Sequence, residues 1–198
     1  MRGVVILLMV LLGASGCSTA VVGHPSSEPL RATEVILLSP MSAPEDTARW
    51  RITEEAVGDC HSSSISPANS RARRCFTEDS QVLDPCYVSP FAGSDEALCL
   101  SDPTGGDAVR IVITSDASGP PGDAPPSGNP WFLELEDGQR CGMMGGATTT
   151  LSGMRMNYAC DDGYGYGDVE QSAKIWTLFF QSDGSPEVIE VSVRTAWF

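Results

Sequence analysis

Short runs of alternating apolar and polar residues recur along the chain, and turn-forming residues separate them. Val109, Ile111 and Ile113 alternate with Arg110 and Thr114. Successive side chains of a β-strand point to opposite faces, so this period of two predicts a half-buried strand. By the same criterion the sequence predicts strands at Glu34–Leu38, Arg49–Val57, Ala108–Thr114, Trp131–Glu136, Gln139–Met144, Met154–Cys160, Lys174–Gln181 and Glu187–Trp197.

Helical spacing is rare, and its best short candidates are Asp46–Ile52 and Ala68–Phe76. Asp137-Gly138 favours a tight hairpin, because these residue types tolerate positive φ. The expected fold is mainly β: a disulfide-stabilised antiparallel sheet or sandwich with one or two short helices. It forms a single domain over residues 33–198. Residues 116–130 carry five prolines and three glycines, which predicts a surface loop.

The first residues have the organisation of an export signal. Met1-Arg2 gives a positive start, and Val4–Leu12 is an unbroken apolar run that small residues follow. Ala14-Ser15-Gly16-Cys17 resembles the lipobox of bacterial lipoproteins. In that family the cysteine thiol receives a diacylglyceryl group and a peptidase cuts before it. The resemblance implies a signal peptide over residues 1–16 and a lipidated Cys17, and the small polar residues 17–32 predict a flexible tether.

Two other interpretations of this segment remain open. An ordinary signal peptidase could cut after Gly16 or after Ala20, which would release a secreted protein. The uncharged stretch Gly3–Gly23 is also about long enough to stay as a membrane anchor, although its second half is poorly apolar. All three interpretations place the folded part outside the cytoplasm.

Charge excludes one class of partner. The 198 residues contain 12 Lys plus Arg against 26 Asp plus Glu, a formal net charge of −14. Because nucleic-acid affinity depends on basic groups that neutralise phosphates, no nucleic-acid partner is expected.

No Walker loop, Gly-x-Ser-x-Gly elbow or His-Glu-x-x-His motif occurs, so no cofactor is expected. Cys60-His61 places a nucleophile beside a base. Because adjacent strand residues point to opposite faces, the two side chains are not expected to hydrogen-bond to each other.

Six cysteines remain once Cys17 is set aside, and an exported chain favours their oxidation. We expect sequential pairing: Cys60–Cys75, Cys86–Cys99 and Cys141–Cys160. The last pair follows from neighbouring antiparallel strands, which bring opposite Cα atoms within disulfide range. The first two pairs rest on short sequence separation alone, so exchange between them stays open.

The segment Asp161–Asp168 is the most suggestive local feature, and it reads as a glycine-rich loop. Asp161, Asp162 and Asp168 are candidate oxygen ligands for calcium, although the spacing is not that of an EF-hand. Tyr164 and Tyr166, flanked by glycines, are candidates to lie against a sugar ring or a partner surface. An ordinary solvated turn is the alternative.

A pattern of cysteine, tryptophan and turn positions covers about residues 60–197. Its residues are Arg74-Cys75, Asp84-Pro85-Cys86-Tyr87, Cys99, Pro130-Trp131, Leu135, Asp137-Gly138, Cys141, Tyr158, Cys160, Trp176 and Ala196-Trp197. This pattern resembles exported proteins of high-GC bacteria such as actinobacteria. The resemblance supports the disulfide framework without implying an activity.

Two functions from different classes follow. The first is a lipid-tethered module of the cell envelope that binds an envelope protein or a glycan, or that has a structural role. The second is an extracytoplasmic hydrolase that uses carboxylates. Acids with raised pKa in a cleft would favour the enzyme, whereas an exposed aromatic patch without them would favour binding. The missing catalytic motifs favour binding, so catalytic residues are not assigned.

Overall fold

A computed structural model describes residues 30–91, 93–114 and 128–198. The expected signal peptide (1–16), most of the tether (17–32) and most of the 116–130 loop lie outside the described residues. The mainly β prediction is confirmed. The strands are β1 (Glu34–Ile36), β2 (Arg51–Ser63), β3 (Ala72–Thr77), β4 (Val82–Val88), β5 (Glu96–Cys99), β6 (Asp107–Ile113), β7 (Phe132–Leu135), β8 (Arg140–Met143), β9 (Thr150–Leu151), β10 (Met154–Cys160), β11 (Gly163–Glu170), β12 (Trp176–Gln181) and β13 (Ile189–Trp197).

Helix is almost absent from the described residues. Pro44–Arg49 forms one 3₁₀ helix, which overlaps the expected Asp46–Ile52 segment. The expected helix at Ala68–Phe76 is wrong, because this segment is a turn that leads into β3. Cys75 and Thr77 of β3 are buried with the exposed Phe76 between them, and Cys75 is bonded to Cys60 of β2. The period of two in this part of the strand prevails over the weak helical spacing.

Strands β2 to β6 close a five-stranded barrel. Consecutive strands pair antiparallel, and β2 pairs with β6 in parallel to complete the ring. β2 makes both contacts because it is long: its first part, up to Gly58, lies along β6, and its last part, from Gly58, lies along β3. The closed ring leaves no unpaired sheet edge.

The second ring contains β7, β8, β10, β11, β12 and β13. Antiparallel pairing of β13 with β7 closes it, and Val193 of β13 faces Leu135 of β7. β1 adds to β13 in parallel beyond the end of β12, and β9 pairs with β10 outside the ring. The sequence predicted a sheet or sandwich, and the structure resolves this into two closed barrels.

Aromatic side chains from both barrels meet in one buried cluster. Trp50 and Tyr87 of the first barrel region pack with Trp131, Phe132 and Trp197 of the second. The ring centroid of Phe132 lies 5.6 Å from that of Trp131 and 5.7 Å from that of Trp197. Such aromatic contacts add stability beyond the burial of area. The cluster therefore fixes one barrel against the other.

The six cysteines lie in three pairs at disulfide distance, in the sequential order that the sequence predicted. The Cα atoms are 4.1 Å apart in Cys60–Cys75, 3.8 Å in Cys86–Cys99 and 4.0 Å in Cys141–Cys160. Each pair joins neighbouring strands: β2 to β3, β4 to β5, and β8 to β10. The first two bonds share the core of the first barrel, and the third lies in the second.

Candidate functional site

The glycine-rich segment at Asp161–Asp168 is a strand rather than the expected loop. Asp161 and Asp162 form a tight turn, and β11 begins at Gly163. β11 pairs with β10 on one side and β12 on the other. Two of its glycines, which suggested a loop, are required because a side chain there would collide with neighbouring strands of the barrel.

Two glycines of β11 leave no room for a side chain. A Cβ on Gly165 would lie 2.6 Å from Cδ2 of Leu178 and 3.1 Å from Cβ of Tyr158. A Cβ on Gly163 would lie 2.2 Å from the carbonyl oxygen of Gln181, and its φ of +131° also favours glycine. Since side chains alternate across a strand, Tyr164 and Tyr166, which flank Gly165, point to the outer face.

An open groove of about 370 Å³ lies on this outer face. The volume is within the range of small-molecule sites. Its lining residues come from the position before β9, from β10 and β11, and from the end of β12 and the turn after it: Thr149, Met156, Tyr164, Tyr166, Gln181, Ser182, Asp183, Gly184 and Ser185.

A hydrogen-bond chain holds the floor of the groove. The buried Tyr166 hydroxyl donates to Oε1 of Gln181 over 3.0 Å. Nε2 of Gln181 in turn donates to the carbonyl oxygen of Ser185 over 2.8 Å. This chain fixes the β12–β13 turn against β11, so the groove is formed before a ligand arrives.

Two groups in the groove have no partner within the described residues. Tyr164 is 38% exposed, whereas Tyr166 is 5% exposed. Neither the Tyr164 hydroxyl nor the Asp183 carboxylate makes a hydrogen bond or ion pair in the part of the chain that the structure describes. The groove therefore presents one aromatic ring, one hydroxyl and one carboxylate to a ligand.

The structure separates the three candidate calcium ligands. Asp161 precedes β11 and Asp168 lies near its far end, roughly 20 Å away at about 3.3 Å per residue. Both are engaged: Asp161 accepts hydrogen bonds from the backbone N–H (2.9 Å) and Nε (3.3 Å) of Arg140, and Asp168 accepts from Asn129 over 2.6 Å. The backbone hydrogen bond from Arg140 is the main cause of the lowered pKa of Asp161. Asp161, Asp162 and Asp168 do not form one metal site.

A second cavity, of about 420 Å³, has acidic residues in its wall. Glu134 and Glu136 line it, but Nη1 of Arg194 lies 3.3 Å from Glu134 and Nη2 lies 3.9 Å from Glu136. Glu34 is the third acidic residue of the lining. Two of the three carboxylates are therefore held in ion pairs with Arg194.

The carboxyl groups with a shifted pKa favour the ionised form over a general acid. Among the described residues, every resolved carboxyl pKa shift is downward, because hydrogen-bond donors stabilise the carboxylates. The main donors are Thr77, Arg51, Arg140 and Ser172, and the carboxyl groups with lowered pKa are Asp79, Asp107, Asp161 and Glu170.

The Cys60-His61 pair offers no nucleophile. Cys60 is fully buried in its bond to Cys75. His61 is exposed on the outside of β2, where its ring stacks on Phe76 with centroids 5.7 Å apart. The two side chains point to opposite faces, as alternation along a strand requires.

Sequence reasoning identified Tyr164 and Tyr166 but missed the rest of the groove. The sequence pattern indicated Gln181 only as the end of a predicted strand. It indicated Ser182–Ser185 only as the connection to the next one. The pairing register places Tyr164 opposite Gln181, and a register between strands is not visible in local sequence. The glycine alternation in β11 was the available signal.

Comparison of the chain with protein-family models, curated proteins and solved structures finds no match. In the described ranges, no helix has the length and apolar character needed to cross a bilayer. The functional assignment therefore depends on the chemistry of the groove.

Replacing Gly165 tests whether β11 needs its glycines. We expect Gly165→Ala to lower the free energy of unfolding by about 1–3 kcal/mol, because the new methyl group overpacks against Leu178 and Tyr158. Gly145→Ala is the matched control, since a Cβ at Gly145 meets nothing within 4 Å. Denaturant unfolding of both variants measures the difference. Equal stabilities would show that the inner face of β11 is not crowded.

Proposed function

We propose that the protein is a lipid-tethered, extracytoplasmic binding module of the cell envelope, and that the groove between β11 and the β12–β13 turn binds a saccharide. The observation that carries this proposal is the exposed Tyr164 ring beside polar groups of a preformed groove. The hydrolase alternative has no comparable support, because the acidic cavity contains ion-paired carboxylates.

A saccharide fits this combination of groups. One face of a sugar ring is rich in C–H groups and packs on an aromatic ring, while its hydroxyls both donate and accept hydrogen bonds. Tyr164 supplies the ring, the Asp183 carboxylate accepts, and the hydroxyl of Ser182 does both. A groove of about 370 Å³ holds a few sugar units at most, rather than a protein surface.

Charge narrows the class of saccharide. The chain carries a net charge of −14, and Asp183 adds a local negative charge within the groove. Like charges repel, so a polyanionic glycan would bind less well than a neutral one. The proposal is therefore a neutral oligosaccharide or the neutral part of an envelope glycan.

The location rests on two features. Three cysteine pairs at disulfide distance fit an oxidising compartment outside the cytoplasm. The apolar run and the Ala14–Cys17 segment fit export followed by lipidation. Two acyl chains anchor a protein stably because burial contributes about 0.8 kcal/mol per methylene.

Replacing Tyr164 tests the saccharide site. We expect Tyr164→Ala to weaken binding of neutral oligosaccharides at least about tenfold, equivalent to 1.4 kcal/mol, because the stacking surface is lost. Isothermal titration with a panel of neutral and anionic oligosaccharides measures the change. The control is Phe76→Ala, since Phe76 has the same 38% exposure but lies on the first barrel.

The titration has clear contrary outcomes. If the Tyr164→Ala variant binds the oligosaccharide as tightly as the unaltered protein does, the binding site lies elsewhere. No binding of any oligosaccharide in the panel would overturn the saccharide proposal. An equal loss in the Phe76 variant would indicate a general effect on the fold.

Replacing Cys17 tests the tether. Metabolic labelling with a tagged fatty acid is expected to mark the unaltered protein, whereas Cys17→Ser is expected to remain unlabelled and to leave the membrane fraction. The reason is that the thiol of Cys17 is the proposed acceptor of the lipid. An unlabelled wild-type protein in the culture medium would favour ordinary secretion instead.

A further inference from the structure

Two disulfides lie against each other inside the first barrel. Cys60–Cys75 and Cys86–Cys99 belong to the same buried cluster. The sulfur atoms of Cys75, Cys86 and Cys99 all lie within 4.8 Å of one another, so the two bonds are close neighbours. The Cys141–Cys160 bond belongs to the other barrel. This proximity is the geometry that thiol–disulfide exchange requires, since one sulfur must attack another.

A cavity lies beside one of these cysteines. It has a volume of about 220 Å³, and Cys99 lines it together with Thr53, Asp84 and Ser101. Cys60, Cys75 and Cys86 are fully buried, and Cys99 is 4% exposed. The volume is below the about 300 Å³ at which drug-sized pockets begin, so only a small molecule enters. Among the four cysteines of this barrel, Cys99 is therefore the one that lies nearest to a visiting thiol.

We propose that the first barrel is a thiol–disulfide exchange site, in which a small organic dithiol converts Cys60–Cys75 and Cys86–Cys99 into a Cys75–Cys86 bond with free thiols at Cys60 and Cys99. This activity is independent of the saccharide groove. The barrel thereby accepts two electrons and retains one disulfide in place of its original two.

The exchange proceeds in three balanced steps. The dithiol thiolate attacks Sγ of Cys99, and the Cys86–Cys99 bond breaks with Cys86 leaving as a thiolate. Cys86 then attacks Sγ of Cys75, and Cys60 leaves as a thiolate that takes up a proton. The remaining thiol of the dithiol then attacks the dithiol-derived sulfur of the mixed disulfide, and Cys99 leaves as a thiolate. The dithiol ends as a disulfide, and its two protons end on Cys60 and Cys99.

The barrel accommodates the new bond. Cys75 lies on β3 and Cys86 on β4, which are hydrogen-bonded neighbours. The register places Leu83 opposite Cys75 and Arg73 opposite Cys86, so the two cysteines are diagonal neighbours across the pair. Their sulfur atoms already lie within 4.8 Å of each other. A bond of the usual length of about 2 Å therefore requires the two sulfurs to approach by less than about 3 Å. The exchange therefore changes the covalent connection without changing the strand order.

Partial reduction of the unaltered full chain tests this proposal. The protein is treated anaerobically with one equivalent of dithiothreitol, quenched with acid, alkylated with N-ethylmaleimide and digested without further reductant. Cleavage after Arg74, Glu78 and Glu96 places Cys60, Cys75, Cys86 and Cys99 on separate peptides. We expect a Cys75–Cys86 cross-linked peptide, alkylated Cys60 and Cys99, and an intact Cys141–Cys160 bond.

The same map contains the results that would overturn the proposal. Alkylation of Cys86 and Cys99 with Cys60–Cys75 intact would show reduction without exchange. Earlier reduction of Cys141–Cys160, or no reduction in the first barrel, would show that the cavity gives no access to Cys99. The double variant Cys60→Ala, Cys75→Ala is a control, since its reduced product must carry the label on Cys86 and Cys99. The wild-type result stands even if this variant fails to fold.

Discussion

Closure of each barrel by one pair of strands that are distant in sequence is the constraint on which the structure depends. Arg51 of β2 lies opposite Asp107 of β6, and Phe132 of β7 lies opposite Trp197 of β13. Bringing such distant segments together carries a loop-closure cost in entropy. The disulfides reduce the freedom of the unfolded chain between neighbouring strands, which offsets part of that cost in the chain-entropy model. The shared aromatic cluster then holds the two closed rings together.

The candidate site is a consequence of this closure. A closed ring of six strands has a narrow interior, and Tyr158 and Leu178 already occupy the part beside β11. β11 meets this constraint with glycines on its inner face, so its large side chains stand on the outer face. Tyr166 is bound into the wall by Gln181, whereas Tyr164 remains open to solvent. The same packing rule that completes the core thus creates the binding surface.

Local sequence predicted the elements whose side chains alternate clearly. The runs that became β6, β12 and β13 have apolar residues at every second position, and burial on one face enforces that pattern. β11 was misread because glycine is usually unfavourable in strands, and only its neighbours in the barrel explain it. β4 was missed because it contains Pro85, which weakens a strand prediction. Closure and register depend on contacts between distant residues, so no local pattern contained them.

The most direct measurement of the central claim is a ¹H–¹⁵N NMR titration of the protein with a neutral oligosaccharide. Saccharide binding at the groove predicts chemical-shift changes confined to the backbone amides of 163–167 and 181–185, on the two walls that Tyr164 and Asp183 form. Amides of the first barrel serve as the internal reference, and their chemical shifts are expected to remain unchanged. Changes centred on another surface, or none at millimolar oligosaccharide, would contradict the account.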